Sequence, residues 1–276
     1  MPAALLFRKL PTVWFAKTAY DESFFGMEGI GMEAVYGINP IKSLLSREET
    51  PLQRIIIADG RSGPVIKGII DSARQRQIPV EWRSRQYLDE LAGSPDHQGI
   101  IGLRDLFAYA DLDDLFKNRC PDLSNDLILM LDSILDPQNL GSIIRSAYCL
   151  GANGVIIPTD RTASVTPAVI KASAGSAEQL PIARVTNLSQ TIDYLKNKGF
   201  WIYGADAHGG NSIREQSFDG QVVLVLGSEA RGIRPLVKKK CDYLVRIPMA
   251  GTFDSFNVAV AAGIIQYEIF IQRQRK

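Results

Sequence analysis

Histidine and cysteine are scarce in this sequence. His97 and His208 stand far apart, and Cys120, Cys149 and Cys241 form no C-x-x-C pair. Zinc, redox and disulfide frameworks are therefore unsupported, and the cysteines read as reduced thiols of a cytoplasmic protein. No apolar run approaches the roughly 20 residues that span a bilayer, so a membrane partner is not expected. Charge of one sign is lacking too: 31 basic residues nearly cancel 30 acidic ones, and net charge says little about partners. No repeat and no low-complexity tract interrupts the chain.

What is present is an alternation. After a basic opening stretch with Arg8, Lys9 and Lys17 and no acid through residue 20, which fits either a weak targeting segment or a basic tail, residues 1–32 read as an extension the fold does not need. From Glu33-Ala-Val-Tyr-Gly onward a small α/β unit is expected over 33–107. It comprises an amphipathic stretch Pro40–Leu45, an apolar run Arg54–Ala58, a helical stretch Pro64–Gln77, Ile78–Trp82, a short helix Gln86–Leu91 and a strand Gly99–Leu103. Residues 108–126 turn acidic and polar and read as a linker. Beyond them, Leu127–Leu131 is a continuously apolar strand of the kind buried on both faces of a parallel sheet. Strands follow at Gly154–Ile157, Ile182–Val185, Phe200–Gly204, Val222–Leu226 and Tyr243–Ile247, mostly separated by helix-length segments, and a long helix closes the chain over Ser255–Gln274. The expectation is an α/β protein whose C-terminal domain, 127–276, holds a parallel, doubly wound sheet.

Three segments of that domain place small and polar residues directly after strands, where open α/β sheets bind ligands. The first is Asp136-Pro-Gln-Asn-Leu-Gly-Ser-Ile-Ile-Arg-Ser-Ala147; Asp136, Asn139 and Ser142 suit the start of a helix, with Arg145 six residues beyond Asn139. The second is Leu224-Val-Leu-Gly-Ser-Glu-Ala-Arg-Gly232, a strand running into a glycine-bracketed turn, in which Gly227 allows a close approach that a side chain would block. In the third, Ile247–Ala261, a strand breaks at Pro248 and a loop through Gly251 launches the last helix past Ser255 and Asn257. Singly, each has a bland explanation in capped helices and turns.

In this order and at these intervals, the three segments resemble the motifs of the SpoU (TrmH-like) family of RNA ribose 2′-O-methyltransferases. Residues Val35–Leu103, including His97-Gln-Gly-Ile, resemble the L30e-like substrate-binding domain of its RlmB-type subgroup, which acts on a 23S ribosomal RNA guanosine. The resemblance implies a trefoil-knotted catalytic domain, S-adenosyl-L-methionine as methyl donor, no metal, and a homodimer with its site at the interface. It places Leu226, Gly227, Ile247, Met249, Phe256, Asn257 and Ala259 around the donor, and Asn139, Arg145, Glu229, Ser255 and Asn257 at catalytic positions. Phe256 stands where leucine is frequent, Ala230 where glycine is usual and Ala259 where serine is frequent. Arg145 is the family's proposed base, although a guanidinium is effectively always protonated and suits contact with a phosphate or a developing alkoxide.

RNA delivery falls to the N-terminal unit, where Arg61, Lys67, Arg74, Arg76, Arg83 and Arg85 outnumber Asp71 and Glu81. Trp82 and Tyr87 stand nearby as stacking candidates. Lys238-Lys-Lys240 reads as the favourable end of a helix. The implied substrate is the P-loop guanosine of ribosomal RNA. A transfer-RNA or another ribosomal-RNA substrate and a catalytically silent RNA-binding or assembly factor are the alternatives; retention of the whole polar set counts against the silent factor.

Overall fold

The computed structural model describes residues 31–116, 126–251 and 254–274. The expected extension therefore lies almost wholly outside the described residues, as do 117–125 of the expected linker.

Four strands form the first sheet: β1 (Met32–Tyr36), β2 (Leu52–Ala58), β3 (Val80–Arg83) and β4 (Ile100–Asp105). Their order is β1-β4-β2-β3, antiparallel at both β4 contacts and parallel between β2 and β3. Ile55, Ile56 and Ile57 are buried in succession because β2 is covered on both faces. Helix α1 (Ile38–Leu45) follows β1, and α2 (Pro64–Gln75) opens on proline and buries Ile66, Ile69 and Ala73, a stripe at helical spacing. Helix α3 (Arg85–Ala92) is capped by Ser84, whose Oγ accepts the Tyr87 N–H at 3.2 Å. His97 is fully buried behind it: Gly99 N–H donates to Nδ1 at 3.0 Å, which leaves Nε2 as the donor to Asp89 at 2.8 Å.

The second sheet has seven parallel strands: β5 (Leu127–Asp132), β6 (Gly154–Pro158), β7 (Ile182–Val185), β8 (Trp201–Ala205), β9 (Asn211–Ser212), β10 (Val222–Gly227) and β11 (Tyr243–Arg246). Their order is β7-β6-β5-β10-β8-β11-β9. Helices α4 (Pro137–Cys149), α5 (Pro167–Ala172), α6 (Leu188–Asn197), α7 (Pro235–Lys238) and α8 (Val258–Gln274) cover it. The side-chain alternation of β5 sends Leu127, Leu129 and Leu131 into one core, with α4, α5 and α8, and Ile128 and Met130 into another, with α6. The first of these cores is continuous with that of the first sheet.

The two sheets are joined by buried charge. Arg104 of β4 is 2% exposed and pairs with Glu178, which also receives Arg47 at 3.1 Å. Burial pushes the Glu178 and Glu33 carboxyls above their ordinary values, against the pull of Arg104. Of the expected linker, Ala110 bridges Ala183, Leu115 is fully buried and the Tyr109 hydroxyl accepts the Val165 N–H at 2.9 Å.

Some expected boundaries move. The last helix begins at Val258 rather than Ser255, because the Asn257 side chain takes the capping role: its Oδ1 accepts from Ala259 N at 3.0 Å and Val260 N at 3.3 Å. Strand β11 ends at Arg246, one residue before Ile247, where its pairing with β9 runs out ahead of Pro248. The five-residue strand β1 had no alternation long enough to announce it.

Candidate functional site

Strands β5 and β10 are neighbours in the middle of the sheet, with Gly227 opposite Asp132 at their C-terminal ends. The chain leaves β5 toward β6 on one side, and leaves β10 for β11 on the other. This is a topological switch point, where the departing connections splay apart and a crevice opens above the strands. All three polar segments converge there.

Asp136 starts α4, its Oδ1 accepting the Gln138 N–H at 3.0 Å with Pro137 at the first helical position. That fixes Asn139 in the first turn. From β10 the loop 228–232 doubles back: Gly232 N–H donates to the Ser228 carbonyl at 2.8 Å. The space at Gly227 is taken by the chain itself, since a Cβ there would lie 2.1 Å from the Gly232 carbonyl carbon and 2.2 Å from Ile233 N. Ala230 is accommodated without a positive φ. Arg234, just past the loop, is anchored to Asp132, which is fully buried and accepts from the Arg234 backbone N–H at 2.9 Å, from Nε at 2.6 Å and from the Ser133 hydroxyl at 3.2 Å.

One oxygen ties the three segments together. Glu229 Oε1 accepts from Asn139 Nδ2 at 3.2 Å, from Asn257 Nδ2, and from the Val258 N–H at 3.3 Å. Asn257 Nδ2 also donates to Asn139 Oδ1 at 3.0 Å. The two amides are thereby oriented by a single carboxylate, an arrangement of charge-assisted bonds. Beside it lies a cavity of about 640 Å³ lined by Leu226, Gly227, Glu229, Ile247, Met249 and Phe256, with Ser255 and Asp254 also on its wall. Asn257 and Ala259 are not among its lining residues: Asn257 is spent on the carboxylate and the cap, and Ala259 packs on the core.

The polar end of the cavity comes from residues outside the three segments. Asp206 and His208, on the loop after β8, and Lys238 of α7 line it, and Lys238 pairs with Asp206. Burial alone would raise the Asp206 carboxyl, but the bonds from Lys238 and from the His208 and Gly209 N–H groups outweigh it and hold the group below its ordinary value. The available signal was a polar residue directly after a strand, the same that marked the other three segments. Lys238 does close a short helix, and Lys240 pairs with Asp193.

Arg145 stands apart. Six residues beyond Asn139 on α4, it is about 9 Å along the axis and about 120° round it. It is exposed and makes no hydrogen bond or ion pair among the described residues. Tyr148, Val260 and Tyr267 of α4 and α8 are exposed as well. Among the described residues no group of three or more His, Cys, Asp or Glu side chains is placed to hold a metal ion, and no helix is long and apolar enough to cross a membrane.

The six N-terminal cations divide. Arg83 pairs with Glu81 at 2.7 Å, Arg74 with Asp71 at 3.9 Å, and Arg76 donates to the Glu48 carbonyl at 3.2 Å. Arg61, Lys67 and Arg85 are exposed and carry no ion pair among the described residues. Trp82, on edge strand β3, is 44% exposed, whereas Tyr87 is half-buried.

Residues 126–267 match the SpoU rRNA methylase family, and residues 34–109 match the RNA 2′-O ribose methyltransferase substrate-binding family. A Staphylococcus aureus (strain MSSA476) protein assigned to the TrmH family of tRNA/rRNA methyltransferases is 40% identical over 223 residues, 81% of this chain and 90% of its own. The crystal structure of the SpoU methyltransferase AviRb from Streptomyces viridochromogenes, in complex with the cofactor AdoMet, superposes with a TM-score of 0.76 at 26% identity, covering 90% of this chain and 93% of its own. A crystal structure of an RNA 2′-O ribose methyltransferase gives a TM-score of 0.72 at 25% identity, over 90% and 91%. The fold is a mostly parallel α/β sheet with a separate N-terminal domain, Asn139, Glu229 and Asn257 of the three polar segments meet at one crevice, and the chain belongs to the SpoU family of RNA methyltransferases.

Proposed function

We propose that this protein transfers a methyl group from S-adenosylmethionine to the ribose 2′-hydroxyl of a guanosine in 23S ribosomal RNA, the P-loop guanosine of the RlmB-type subgroup, and that it does so as a homodimer. Residues 33–107 deliver the RNA, through Arg61, Lys67, Arg74, Arg76, Arg83 and Arg85, and residues 127–276 carry out the transfer. The observation that carries the reading is the Asn139–Glu229–Asn257 network beside the cavity of the glycine turn.

The cavity suits the donor. Its volume of about 640 Å³ lies within the roughly 300–1,000 Å³ of sites for ligands of this size. Leu226, Ile247, Met249 and Phe256 offer apolar walls, Gly227 brings backbone to the surface, and Asp206 and Lys238 supply a charged end for an amphiphile that carries both an aromatic base and an amino-acid group. Bound there, the donor supplies an electrophilic methyl group on a sulfonium. Glu229 holds the Asn139 and Asn257 amides in fixed orientation, and these with Ser255 position the ribose, so that alignment supplies much of the rate. As the 2′-oxygen takes the methyl group and the sulfur–methyl bond breaks to leave S-adenosylhomocysteine, the hydroxyl proton passes to solvent; Arg145, permanently charged, stabilises the negative charge developing on that oxygen or holds the adjacent phosphate. It reaches the crevice from the partner subunit across the exposed α4–α8 face. The AdoMet complex of AviRb and the ribose 2′-O specificity of the other structural relative support this assignment. The resemblance of the N-terminal domain to that of the RlmB-type subgroup favours ribosomal over transfer RNA.

Mapping 2′-O-methylation in ribosomal RNA from cells with and without the protein tests the substrate: loss of one guanosine mark is expected, and an unchanged pattern overturns it. Co-expression of Arg145→Ala with Asn257→Ala tests the dimer. Random reassortment makes about half the dimers mixed, each with one intact site, so activity recovers to about a quarter of wild type from two nearly dead parents. No recovery, with mixed dimers demonstrated, places the site within one chain.

A further inference from the structure

The loop after β6, Thr159-Asp160-Arg161-Thr162, is held rigidly beside the first polar segment. Its stem is fixed by Thr159 N–H donating to the Val185 carbonyl at 2.8 Å and by Arg184 Nη2 donating to the Thr159 carbonyl at 3.2 Å. Its far side is bonded to the β5–α4 connection, where the Ile134 carbonyl accepts from both the Thr162 hydroxyl at 2.9 Å and the Ala163 N–H at 2.8 Å. Ile134 lies two residues before the cap of α4, so the loop shares the C-terminal edge of the sheet with Asn139.

At its tip, Arg161 has φ +61°, and on the loop bonded to it Ser133 has φ +67°. Among the described residues these are two of five non-glycine residues with positive φ, and they lie on the loops that leave the C-terminal ends of two neighbouring strands, β5 and β6. A side chain in the left-handed region is disfavoured, and such residues concentrate where a surrounding framework imposes them for function. Arg161 is exposed and makes no hydrogen bond or ion pair among the described residues, not even with its neighbour Asp160. The Arg161 guanidinium is thus carried on a fixed stem at the C-terminal edge of the sheet, the edge on which Asn139 also lies. Guanidinium groups pair with phosphate through parallel N–H bonds.

We infer that Arg161 contacts a backbone phosphate of the RNA next to the target nucleotide, an inference that rests on the reading of the protein as an RNA methyltransferase. Its positive φ supplies the control, because glycine keeps the backbone while deleting the charge. The experiment compares full-length wild type, Arg161→Gly and Arg161→Lys. Affinity for unmodified large-subunit ribosomal RNA transcribed in vitro is measured as a function of salt, together with KM and kcat for methylation and calorimetric affinity for S-adenosylhomocysteine. In Arg161→Gly, RNA affinity falls about fivefold to tenfold, the slope of log affinity against log salt flattens by about 0.7–0.9, and KM rises with kcat largely kept. Affinity for S-adenosylhomocysteine and the melting temperature hold, and Arg161→Lys stays close to wild type. Wild-type RNA affinity and slope in Arg161→Gly overturn the contact, as does a matching loss of donor-product binding. A wild-type protein that methylates neither ribosomal nor transfer RNA overturns the RNA reading, and the contact with it.

Discussion

Gly227→Ala is the sharpest perturbation of the site, because everything a methyl group would strike is backbone. The added Cβ would lie 2.1 Å from the Gly232 carbonyl carbon, 2.2 Å from Ile233 N and 2.4 Å from the Gly232 oxygen, where ordinary contact begins at 3.4 Å. Loop 228–232 must therefore retreat by about 1.3 Å, the difference between 2.1 and 3.4 Å. It carries Glu229, whose bonds to Asn139 and to the Val258 N–H are already 3.2 and 3.3 Å long, so a retreat of that size breaks both. Overpacking of this kind costs about 1–3 kcal/mol, which lowers Tm by about 2–4 °C for each kcal/mol. Loss of the cavity wall weakens S-adenosylhomocysteine binding at least about tenfold, or about 1.4 kcal/mol. Gly232→Ala separates the causes: φ there is +64° with nothing within 4 Å, so it incurs only the left-handed penalty of about 1–2 kcal/mol. Gly251→Ala, with open space and no positive φ, is silent. Calorimetric titration and thermal melts read all three variants. A Gly227→Ala protein that binds the donor product like wild type would falsify the claim that this contact shapes the site.

Arg234→Ala leaves the buried Asp132 carboxylate with only an amide and a hydroxyl donor, and lowers stability by about 2 kcal/mol in urea unfolding. That is less than a fully buried pair would lose, because Arg234 is 39% exposed; a change under about 0.5 kcal/mol contradicts the anchor. Burial, with Asp242 adding to it, pushes the Cys241 thiol up to about 11, so about one molecule in a thousand is thiolate at pH 8. Iodoacetamide followed by peptide mapping finds exposed Cys149 labelled and Cys241 at least about tenfold slower, and equal rates refute the burial argument. The depressed Asp206 pKa contributes stability that is present above the unfolded carboxylate value, about 3.9, and lost as pH falls through the folded one. Asp206→Asn is therefore less stable than wild type at pH 7, and the gap narrows below about pH 4; a constant gap across pH denies the shift.

Local pattern carried the reading where function depends on what directly follows a strand. Asn139, Glu229 and Asn257 are each recognisable by that position, and the fold brings their side chains together. Partnerships formed across the chain left no such trace. Asp132 ends an apolar strand, and its partner lies 102 residues away; Arg104, one residue past the expected strand Gly99–Leu103, is buried against Glu178, 74 residues on. The basic segment 61–85 shows the limit of counting charges. The parallel register of β2 and β3 brings Glu81 beside Ile56, and Arg54 and Arg83 both pair with that one carboxylate, so part of the apparent excess is spent internally. Arg145 was legible as a residue type at a helical spacing, but a spacing of six turns it away from Asn139, and no pattern within one chain shows what it faces.

The place of β10 sets when the second sheet can close. It lies between β5 and β8 although the ribosome delivers it after both. The four strands of the first sheet are complete by residue 105, more than a hundred residues before β10 begins at Val222. Until then β5, every residue of which is buried in the finished sheet, holds β6 on one side and a bare edge on the other. A bare apolar edge is a template for any other strand. A chain that ends between residues 206 and 221 therefore lacks the strand that covers β5, and the bare apolar edge it presents is closed only by the six residues that end in Gly227.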